Sequence, residues 1–550
     1  MRFFSYSDIH FPWLIRAFFL VYLLLGLWIT PDYGVSWDEP IQRRHGMVTT
    51  DYINRVFGIE AERYDEAYEL ETYEHRYYGV LFTTLCFKVE RILGLQTWRQ
   101  HHLLRHYAVF LLFWTGTIAF YLLLRYRFPN WKWVLAGMLF LLLFPRLFGH
   151  SFFNVKDAVL VSAVLWAMYT MVRFLDDPRW TWALAHGLAS GIAIDVRIVA
   201  VVIPALTVAW WLVRLLSVRT SLAKAIIPIG VYGLVAFLVT VAGWPYLWGD
   251  PIGHLLEAYR VMGHYQWGGE VRLWGEFLYP AGGLPWYYLP SWMLITIPVG
   301  ITLFFLAGMG RVCYRLARPL VKLSFEWFRE KDLRTDAILF SLFIIPVGMV
   351  LLKGSVLYDD WRQMYFVYPS YAVVALSGVE GLHWRLRQKW LMPLLVAITL
   401  GGTWIQMVRY HPLQHVYFNF LAGTNREQRF EQDYWGLSYK QAFEAILEID
   451  TSEVIPFYCQ NFPGTANHAF LPKEKEDRFV QVWQERGAKY YLTNYRERGE
   501  FKRSRKGVFP FLDPVLFIKA GNTPVLGVYR VDKYWDRVEG EKGNWKLKPE

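Results

Sequence analysis

The sequence predicts a polytopic α-helical membrane protein with about 11 transmembrane helices and a C-terminal extracytoplasmic α/β domain. Hydrophobic residues make up 54% of the chain and charged residues 19%. That balance is too apolar for an ordinary soluble enzyme and too charged for a chain of membrane spans alone. Basic residues concentrate in alternate loops between the apolar runs, and after residue 408 the long apolar runs stop.

A membrane-spanning helix needs about 20 mostly apolar residues. The first apolar run follows Arg2 and has no small-residue cleavage site before Pro31, which predicts an uncleaved signal-anchor helix. The stretch 78–94 carries three charged residues in its second half and predicts an interfacial helix. The predicted spans are 11–30, 103–124, 132–148, 157–175, 181–196, 198–216, 225–247, 285–310, 336–352, 364–382 and 391–408.

The loops that carry most of the lysine and arginine are predicted to be cytoplasmic, because basic loops stay on that side of a membrane. This places the protein in the plasma membrane, or the inner membrane of a bacterium, as a multi-pass component of the cell envelope. The net charge of +11 therefore reflects topology and does not indicate a nucleic-acid partner. The loops predicted to lie outside are 31–102, 149–156, 248–284, 353–363 and the whole tail after 409.

Two domains follow from this topology. Residues 1–408 form the membrane domain, with a large first outer loop at 31–102, and residues 409–550 form the extracytoplasmic domain. Runs with strand or helix patterning support an α/β fold for the tail. These runs are 454–459, 490–494 and 525–531 for strands and 439–449 for a helix. The three cysteines form no CxxC pair, so neither a disulfide framework nor a zinc site is indicated.

Polar and aromatic side chains crowd the outer loops. An acidic pair follows the first span directly, and ionisable groups at a membrane face are costly enough to indicate function. The candidate site residues are Trp37, Asp38, Glu39, His150, Lys156, Asp157, Arg197, Trp286, Tyr287, Tyr288 and Arg362.

Their chemistry suits transfer of a sugar from a polyprenyl phosphate, whose phosphate is already a good leaving group. Such an enzyme needs a general base for the acceptor hydroxyl and cations for the phosphate charge that develops. Asp38 suits the base. Glu39 has a supporting role in the catalytic group, because adjacent residues do not share a helix face. Lys156, Arg197 and Arg362 suit the phosphate.

The remaining candidates complete this hypothesis. Asp157 is a second acid of the catalytic group. Tyr287 and Tyr288 are predicted to line the site of the donor phosphate and its lipid. Trp37, Trp286 and His150 are predicted to contact the sugar or the acceptor. A divalent cation held by Asp38, Asp157 and a histidine is a further alternative, and no other cofactor is indicated.

Several of these residues can also be explained by their effect on the structure alone, without a role in function. The acidic pair 38–39 suits the positive end of a helix dipole, and the segment 154–157 resembles a capping box. That box leaves Lys156 unexplained, because its charge opposes the dipole. Arg197 fits a side chain that reaches for the membrane interface, and Arg362 fits an exposed turn with a weak local ion pair. No P-loop and no GxGxxG beside a strand is present, which disfavours a nucleotide-sugar donor.

The chain resembles the GT-C glycosyltransferases, most closely the branch of protein O-mannosyltransferases and lipid A aminoarabinose transferases. The resemblance covers roughly residues 1–410. Its motifs are Asp38-Glu39 in the first outer loop, Lys156-Asp157 in the next, Pro285 to Tyr288 at the start of a later span, and Arg362 to Pro369. The chain departs from that branch at Asp195-Val-Arg197, where a lysine-containing turn is commoner, and in its acidic loop 60–76.

The resemblance implies a polyprenyl-phosphate sugar donor, inverting transfer at the extracytoplasmic face, Asp38 as base and an extracytoplasmic C-terminal domain. The predicted function is therefore an integral-membrane glycosyltransferase acting on a hydroxyl of a lipid, glycan or protein. One alternative is a transporter or flippase of lipid-linked sugars, although such proteins favour internal repeats and charges at mid-membrane. The other is a membrane-anchored binding protein whose tail does the work.

Overall fold

A computed structural model describes residues 12–218, 222–265, 267–322, 324–539 and 546–547. The part before residue 411 is built almost entirely of helices, with one short hairpin of β1 (Val271–Leu273) and β2 (Glu276–Leu278). Its helices are α1 (Pro12–Ile29), α2 (Glu39–Val56), α3 (Leu81–Ile92), α4 (Trp98–Arg127), α5 (Trp131–Leu142), α6 (Pro145–His150), α7 (Asp157–Asp176), α8 (Trp180–Val196), α9 (Val202–Ser217), α10 (Leu222–Gly243), α11 (Pro251–Gly263), α12 (Tyr288–Thr296), α13 (Val299–Val321), α14 (Lys331–Lys353), α15 (Tyr368–Arg385) and α16 (Leu391–Tyr410).

The protein is a multi-pass membrane protein. Among the described residues, 8 helices are long and apolar enough to cross a membrane. The predicted count of about 11 is not confirmed, because three expected spans fall short. The run 132–148 is divided between α5 and α6 at Leu143-Phe144, and 181–196 is the 17-residue helix α8. The run 364–382 begins as a 3₁₀ turn and becomes α-helical only at Tyr368.

Helix α7 forms the centre of the membrane domain, packed against α4 and α8. Of its membrane-spanning window, 89% is buried within the protein, against 22% for α16, which faces its surroundings over most of its surface. The first residue of α7 is Asp157, so the fold places a carboxylate at the end of its most buried span. The membrane face at which α7 begins is called the site face below.

The opposite face is held by a buried ion-pair network. Arg127 at the end of α4 donates to both carboxylate oxygens of Asp336 in α14, at 2.6 and 2.8 Å. It also donates to Glu380 in α15 at 3.2 Å, and Arg311 in α13 reaches the same Glu380 at 2.8 Å. Charges at a membrane boundary need such partners, and this network ties four helices together.

The tail folds around a five-stranded mixed sheet, whose strands lie in the order β4 (Phe479–Gln481), β3 (Ile455–Cys459), β5 (Tyr490–Thr493), β7 (Thr523–Arg530) and β6 (Pro514–Ala520). The predicted strands at 454–459, 490–494 and 525–531 and the helix at 439–449 are confirmed, whereas β4 and β6 were not predicted. The tail elements are α17 (Arg426–Arg429), α18 (Ser438–Ile449), β3 (Ile455–Cys459), α19 (Phe462–His468), α20 (Lys473–Glu476), β4 (Phe479–Gln481), β5 (Tyr490–Thr493), α21 (Glu500–Arg505), β6 (Pro514–Ala520), β7 (Thr523–Arg530), β8 (Val538–Glu539) and β9 (Lys546–Leu547).

The tail is seated on the segment between α1 and α4. Asn467 of α19 is fully buried; its side chain accepts from the amide of Val35 at 2.8 Å and donates to the Val35 carbonyl at 2.9 Å. The same side chain donates to the carbonyl of Gly436 at 3.1 Å. Trp98 at the start of α4 donates to the carbonyl of Ala466 at 3.1 Å. These contacts fix the chain just before Asp38 against the tail.

A close helix crossing in the membrane domain gives a stability test. A Cβ added at Gly308 of α13 would overlap the carbonyl oxygen of Val374 in α15, whereas one added at Gly310 would meet open space. We expect Gly308→Ala to lower the free energy of unfolding by about 1–3 kcal/mol, since overpacking forces the backbones apart. Gly310→Ala, the matched control, should be neutral or stabilising by up to about 1 kcal/mol. Thermal unfolding of the purified protein in detergent measures both, and equal melting temperatures would contradict the prediction.

Candidate active site

The candidate site lies where four chain segments meet at the site face. Asp38 precedes α2, Lys156-Asp157 opens α7, Arg197 follows α8, and Arg362 starts the 3₁₀ turn before α15. The predicted carboxylates and cations are thus brought together from segments far apart in the sequence.

Asp157 is the centre of this group. Its side chain is buried, with Oδ1 2.6 Å from Arg197 Nη2 and Oδ2 2.9 Å from Arg362 Nη1. The side-chain amide of Asn154 also donates to Oδ2, at 3.0 Å, and Asn154 Oδ1 accepts from the Asp157 amide at 2.7 Å. Asp157 therefore orients two guanidinium groups, and its own oxygens are already engaged.

Arg362 is enclosed by aromatic rings. Its guanidinium carbon lies 4.8 Å from the ring centroid of Tyr358, 4.5 Å from that of Trp435 and 5.7 Å from that of Tyr434. Nε lies 3.0 Å from Asp359 Oδ2. The side chain is buried, so this arginine is not the exposed turn residue of the structural explanation.

Lys156 projects beside these arginines. Its ammonium nitrogen lies 3.4 Å from the ring centroid of Tyr78, and no carboxylate among the described residues lies within ion-pair distance of it. Burial, and secondarily the charge of Arg197, lowers the pKa of Lys156 to about 7, while Asp38 opposes that shift. A lysine in this setting gains most from an anion that approaches it.

The two adjacent acids face different surroundings. Glu39 is fully buried and accepts from the Ser36 amide at 2.7 Å and from Nε2 of His106 at 2.8 Å. Asp38 keeps 27% of its side chain exposed, and its closest ion-pair partner among the described residues is Arg362, 3.9 Å away. Asp38 is thus accessible, whereas Glu39 anchors the start of α2 to α4.

A second layer of buried charge lies behind Arg362. Asp359 and Asp360 both adopt left-handed backbone conformations, with φ of 53° and 60°. Asp360 is 2.6 Å from Arg146 and accepts from the Tyr365 hydroxyl at 2.7 Å. Burial raises the pKa of Asp359 well above its ordinary value, and the neighbouring Asp360 raises it further. This layer supports the loop that carries Arg362.

Several residues of the site were not predicted from the sequence. Arg146 lay inside the predicted span 132–148, so its charge was not assigned to the outer face. Arg496 comes from the tail and stacks between Trp37, 4.7 Å away, and Tyr434, 4.1 Å away. The sequence analysis did not assign the tail to the site, although the acid and two aromatic residues at 433–435 are a signal that could have indicated it.

Other predicted residues lie apart from this group. His150 is buried and packs against Phe153 and Trp435, so it supports the ring that covers Arg362. Tyr288 is also buried, while 73% of Trp286 is exposed at the edge of a narrow groove formed with residues 350–357. Their predicted contacts with lipid and sugar stay predictions.

The predicted divalent-cation ligands fit poorly. Both oxygens of Asp157 are occupied by guanidinium groups, and Arg362 lies between Asp157 and Asp38. Within the described ranges, no group of three or more His, Cys, Asp or Glu side chains is arranged to hold a metal ion.

Residues 105–244 match the family model described as dolichyl-phosphate-mannose-protein mannosyltransferase. The match runs from within α4 to just beyond α10 and includes Lys156, Asp157 and Arg197, whereas Asp38 and Arg362 lie outside it. Over this stretch the match confirms the family resemblance expected from the sequence. A search of curated proteins finds no match to the chain.

Solved structures with a similar arrangement include ArnT from Cupriavidus metallidurans, bound to undecaprenyl phosphate. It is 12% identical with a TM-score of 0.47, and the alignment covers 94% of this chain and 98% of that chain. The apo oligosaccharyltransferase of Archaeoglobus fulgidus is 11% identical, also with a TM-score of 0.47. That alignment covers 85% of this chain, which spans only 65% of the oligosaccharyltransferase.

The ion pairs of Asp157 predict unequal effects of removing its two cations. Arg362→Leu should lower the free energy of unfolding by about 3–5 kcal/mol, because it leaves buried carboxylates without their cation. Arg197→Leu should cost less, since 16% of the Arg197 side chain is exposed and Asp157 keeps Arg362. Thermal unfolding in detergent measures both variants. An Arg197→Leu loss as large as that of Arg362→Leu would contradict this account.

Proposed function

We propose that this protein is a membrane glycosyltransferase that moves a sugar from a polyprenyl-phosphate donor to an acceptor hydroxyl at the extracytoplasmic face, with inversion. The observation that carries the proposal is an accessible carboxylate, Asp38, beside Lys156, Arg197 and Arg362. The family match over 105–244 supports a lipid-phosphate-linked donor. The chemistry is gathered at one face rather than at mid-membrane, which favours transfer over translocation.

In the proposed reaction Asp38 is the general base. The acceptor hydroxyl gives its proton to a carboxylate oxygen of Asp38 as its own oxygen forms a bond to the anomeric carbon. The bond between that carbon and the phosphate oxygen breaks, and its electron pair leaves with the phosphate. Attack and departure on opposite sides of the carbon invert its configuration. Glu39 holds the start of α2, and so the backbone of Asp38, through His106.

The cations stabilise the leaving phosphate as its charge grows. Arg362 and Arg197 are fixed by Asp157, so they need little reorganisation when the donor binds. Lys156 supplies a compact charge that is not already neutralised by a close carboxylate within the described part of the chain. Trp37, stacked on Arg496 at the mouth of the site, offers a ring face to a sugar.

Asp38→Asn should lower the turnover number for sugar transfer about 100-fold to 10,000-fold, because the amide cannot take up the acceptor proton. Donor binding should change little, since the phosphate cations remain. The turnover number is measured as sugar transfer from a polyprenyl-phosphate sugar by purified protein, and donor binding is measured by direct titration of the donor. Glu66→Gln, which neutralises an exposed acid of the same loop, is the matched control. Full activity of Asp38→Asn would rule out Asp38 as the base.

The lowered pKa of Lys156 predicts that donor affinity depends on pH. Near its pKa of about 7 the lysine is partly neutral, and a bound phosphate raises the pKa, so binding takes up a proton. Affinity should therefore fall as the pH rises from 6.5 to about 8.5, by up to about tenfold per pH unit above the pKa. A polyprenyl phosphosugar suits the titration because its diester keeps one charge throughout this range.

Two variants test whether this dependence belongs to Lys156. Lys156→Arg should flatten the pH profile, since arginine stays charged, and Lys156→Met should both weaken binding and flatten the profile. A slope that persists unchanged in Lys156→Met would assign the titration to another group.

A further inference from the structure

A polar stripe runs along α16, although that helix is only 22% buried over its span. Thr399, Thr403, Gln406 and Tyr410 recur at every third or fourth position and therefore lie on one helix face. Polar side chains facing hydrocarbon are costly unless their hydrogen bonds are satisfied within the helix, so Gln406 and Tyr410 indicate a polar environment at their level of the membrane.

The stripe lines a cavity of about 330 Å³ on the site face. The start of α13 at residues 298–300 forms one wall, and residues 417–420 with Arg426 form the roof. This volume lies within the usual range for small-molecule sites, about 300–1,000 Å³. The cavity is open to its surroundings rather than enclosed.

The cavity is lined by one positively charged side chain among the described residues, that of Arg426. Arg426 is half-buried and donates to the hydroxyl of Tyr410 at 3.2 Å and to the carbonyls of Phe418 and Gly423 at 3.4 and 3.0 Å. All three acceptors are neutral. The next residue, Glu427, lies 3.1 Å from Arg505 instead, and no carboxylate in the described ranges lies within 4.0 Å of Arg426. Its charge is therefore available to an anion.

We propose that this cavity binds an anionic glycerophospholipid from the leaflet on the site face. Its phosphate lies against Arg426 and Tyr410. The amide of Gln406 lies four residues below Tyr410, or about 6 Å along the helix, at the level of the ester groups. The hydroxyls of Thr403 and Thr399 already donate to carbonyls of their own helix at 2.8 Å, so an acyl chain passes them without leaving a donor unsatisfied.

The cavity is separate from the cations proposed to bind the donor phosphate. Arg146 donates to the carbonyl of Tyr417 at 2.9 Å and stacks on Phe418 at 4.6 Å, while its other side pairs with Asp360. This layer stands between the cavity and Arg362. The lipid site therefore does not depend on the proposed function, and a bound lipid stabilises the roof on which Arg146 rests.

Two neighbouring glycines allow a matched test of the cavity. A Cβ added at Gly401 or Gly402 of α16 meets no atom within 4 Å, but only Gly402 lines the cavity. Full-length protein is purified in mild detergent, supplied with equal amounts of phosphatidylglycerol and phosphatidylcholine, and the retained lipid is counted by mass spectrometry. The wild type should prefer phosphatidylglycerol by about fivefold or more. Gly402→Leu should lose this retention by a similar factor, and Gly401→Leu should keep it.

Arg426→Gln tests the charge separately. This variant should abolish the preference for phosphatidylglycerol over phosphatidylcholine while leaving the cavity open. If Gly402→Leu does not give a monodisperse protein, Arg426→Gln alone tests whether the cavity binds an anionic lipid. The proposal is overturned if the wild type shows no preference or if Gly402→Leu retains phosphatidylglycerol as the wild type does. Equal losses in the two glycine variants, or an unchanged preference in Arg426→Gln, would overturn it as well.

Discussion

The site depends on one carboxylate, Asp157, held between Arg197 and Arg362. A buried charge is tolerated only with close partners, and here one acid at the start of the most buried span receives two guanidinium groups. The positive end of the α7 dipole favours the same carboxylate. Because Arg197 ends α8 and Arg362 precedes α15, this acid fixes three helix ends relative to one another. The geometry of the two arginines proposed to bind the donor phosphate is thus set before any substrate arrives.

The tail completes this arrangement from the other side. Trp435 covers the guanidinium of Arg362, and Arg496 stacks on Trp37. Asn467 holds the backbone at Val35, three residues before Asp38, through two hydrogen bonds. The tail is therefore part of the wall of the site, and the position of Asp38 depends on a side chain more than 400 residues away in the sequence.

Hydropathy and loop charge predicted the helical membrane domain and the convergence of Asp38, Lys156, Asp157, Arg197 and Arg362 on one face. Knowing which loops share a membrane face was enough to predict this convergence, because polar residues from distant loops are then confined to one thin layer. The fold of the tail was predicted from its strand-patterned and helix-patterned runs. Loop charge did not reveal Arg146, since an arginine within an apolar run looks like part of a span until the break at residues 143–144 is seen. Nor did it reveal Trp435 or Arg496, because their contacts arise from how the tail docks, which no local pattern encodes.

The division of labour between Asp38 and Glu39 follows from the same geometry. Adjacent residues at a helix start point in different directions, so only one of them can turn toward the cations. Glu39 turns inward, where an amide and His106 occupy both of its oxygens. Asp38 stays accessible and lies at the edge of ion-pair distance from Arg362. A general base must have an oxygen free to accept a proton. Of the three site acids Asp38, Glu39 and Asp157, only Asp38 has a partly exposed side chain, which is why the proposed function assigns the base to it.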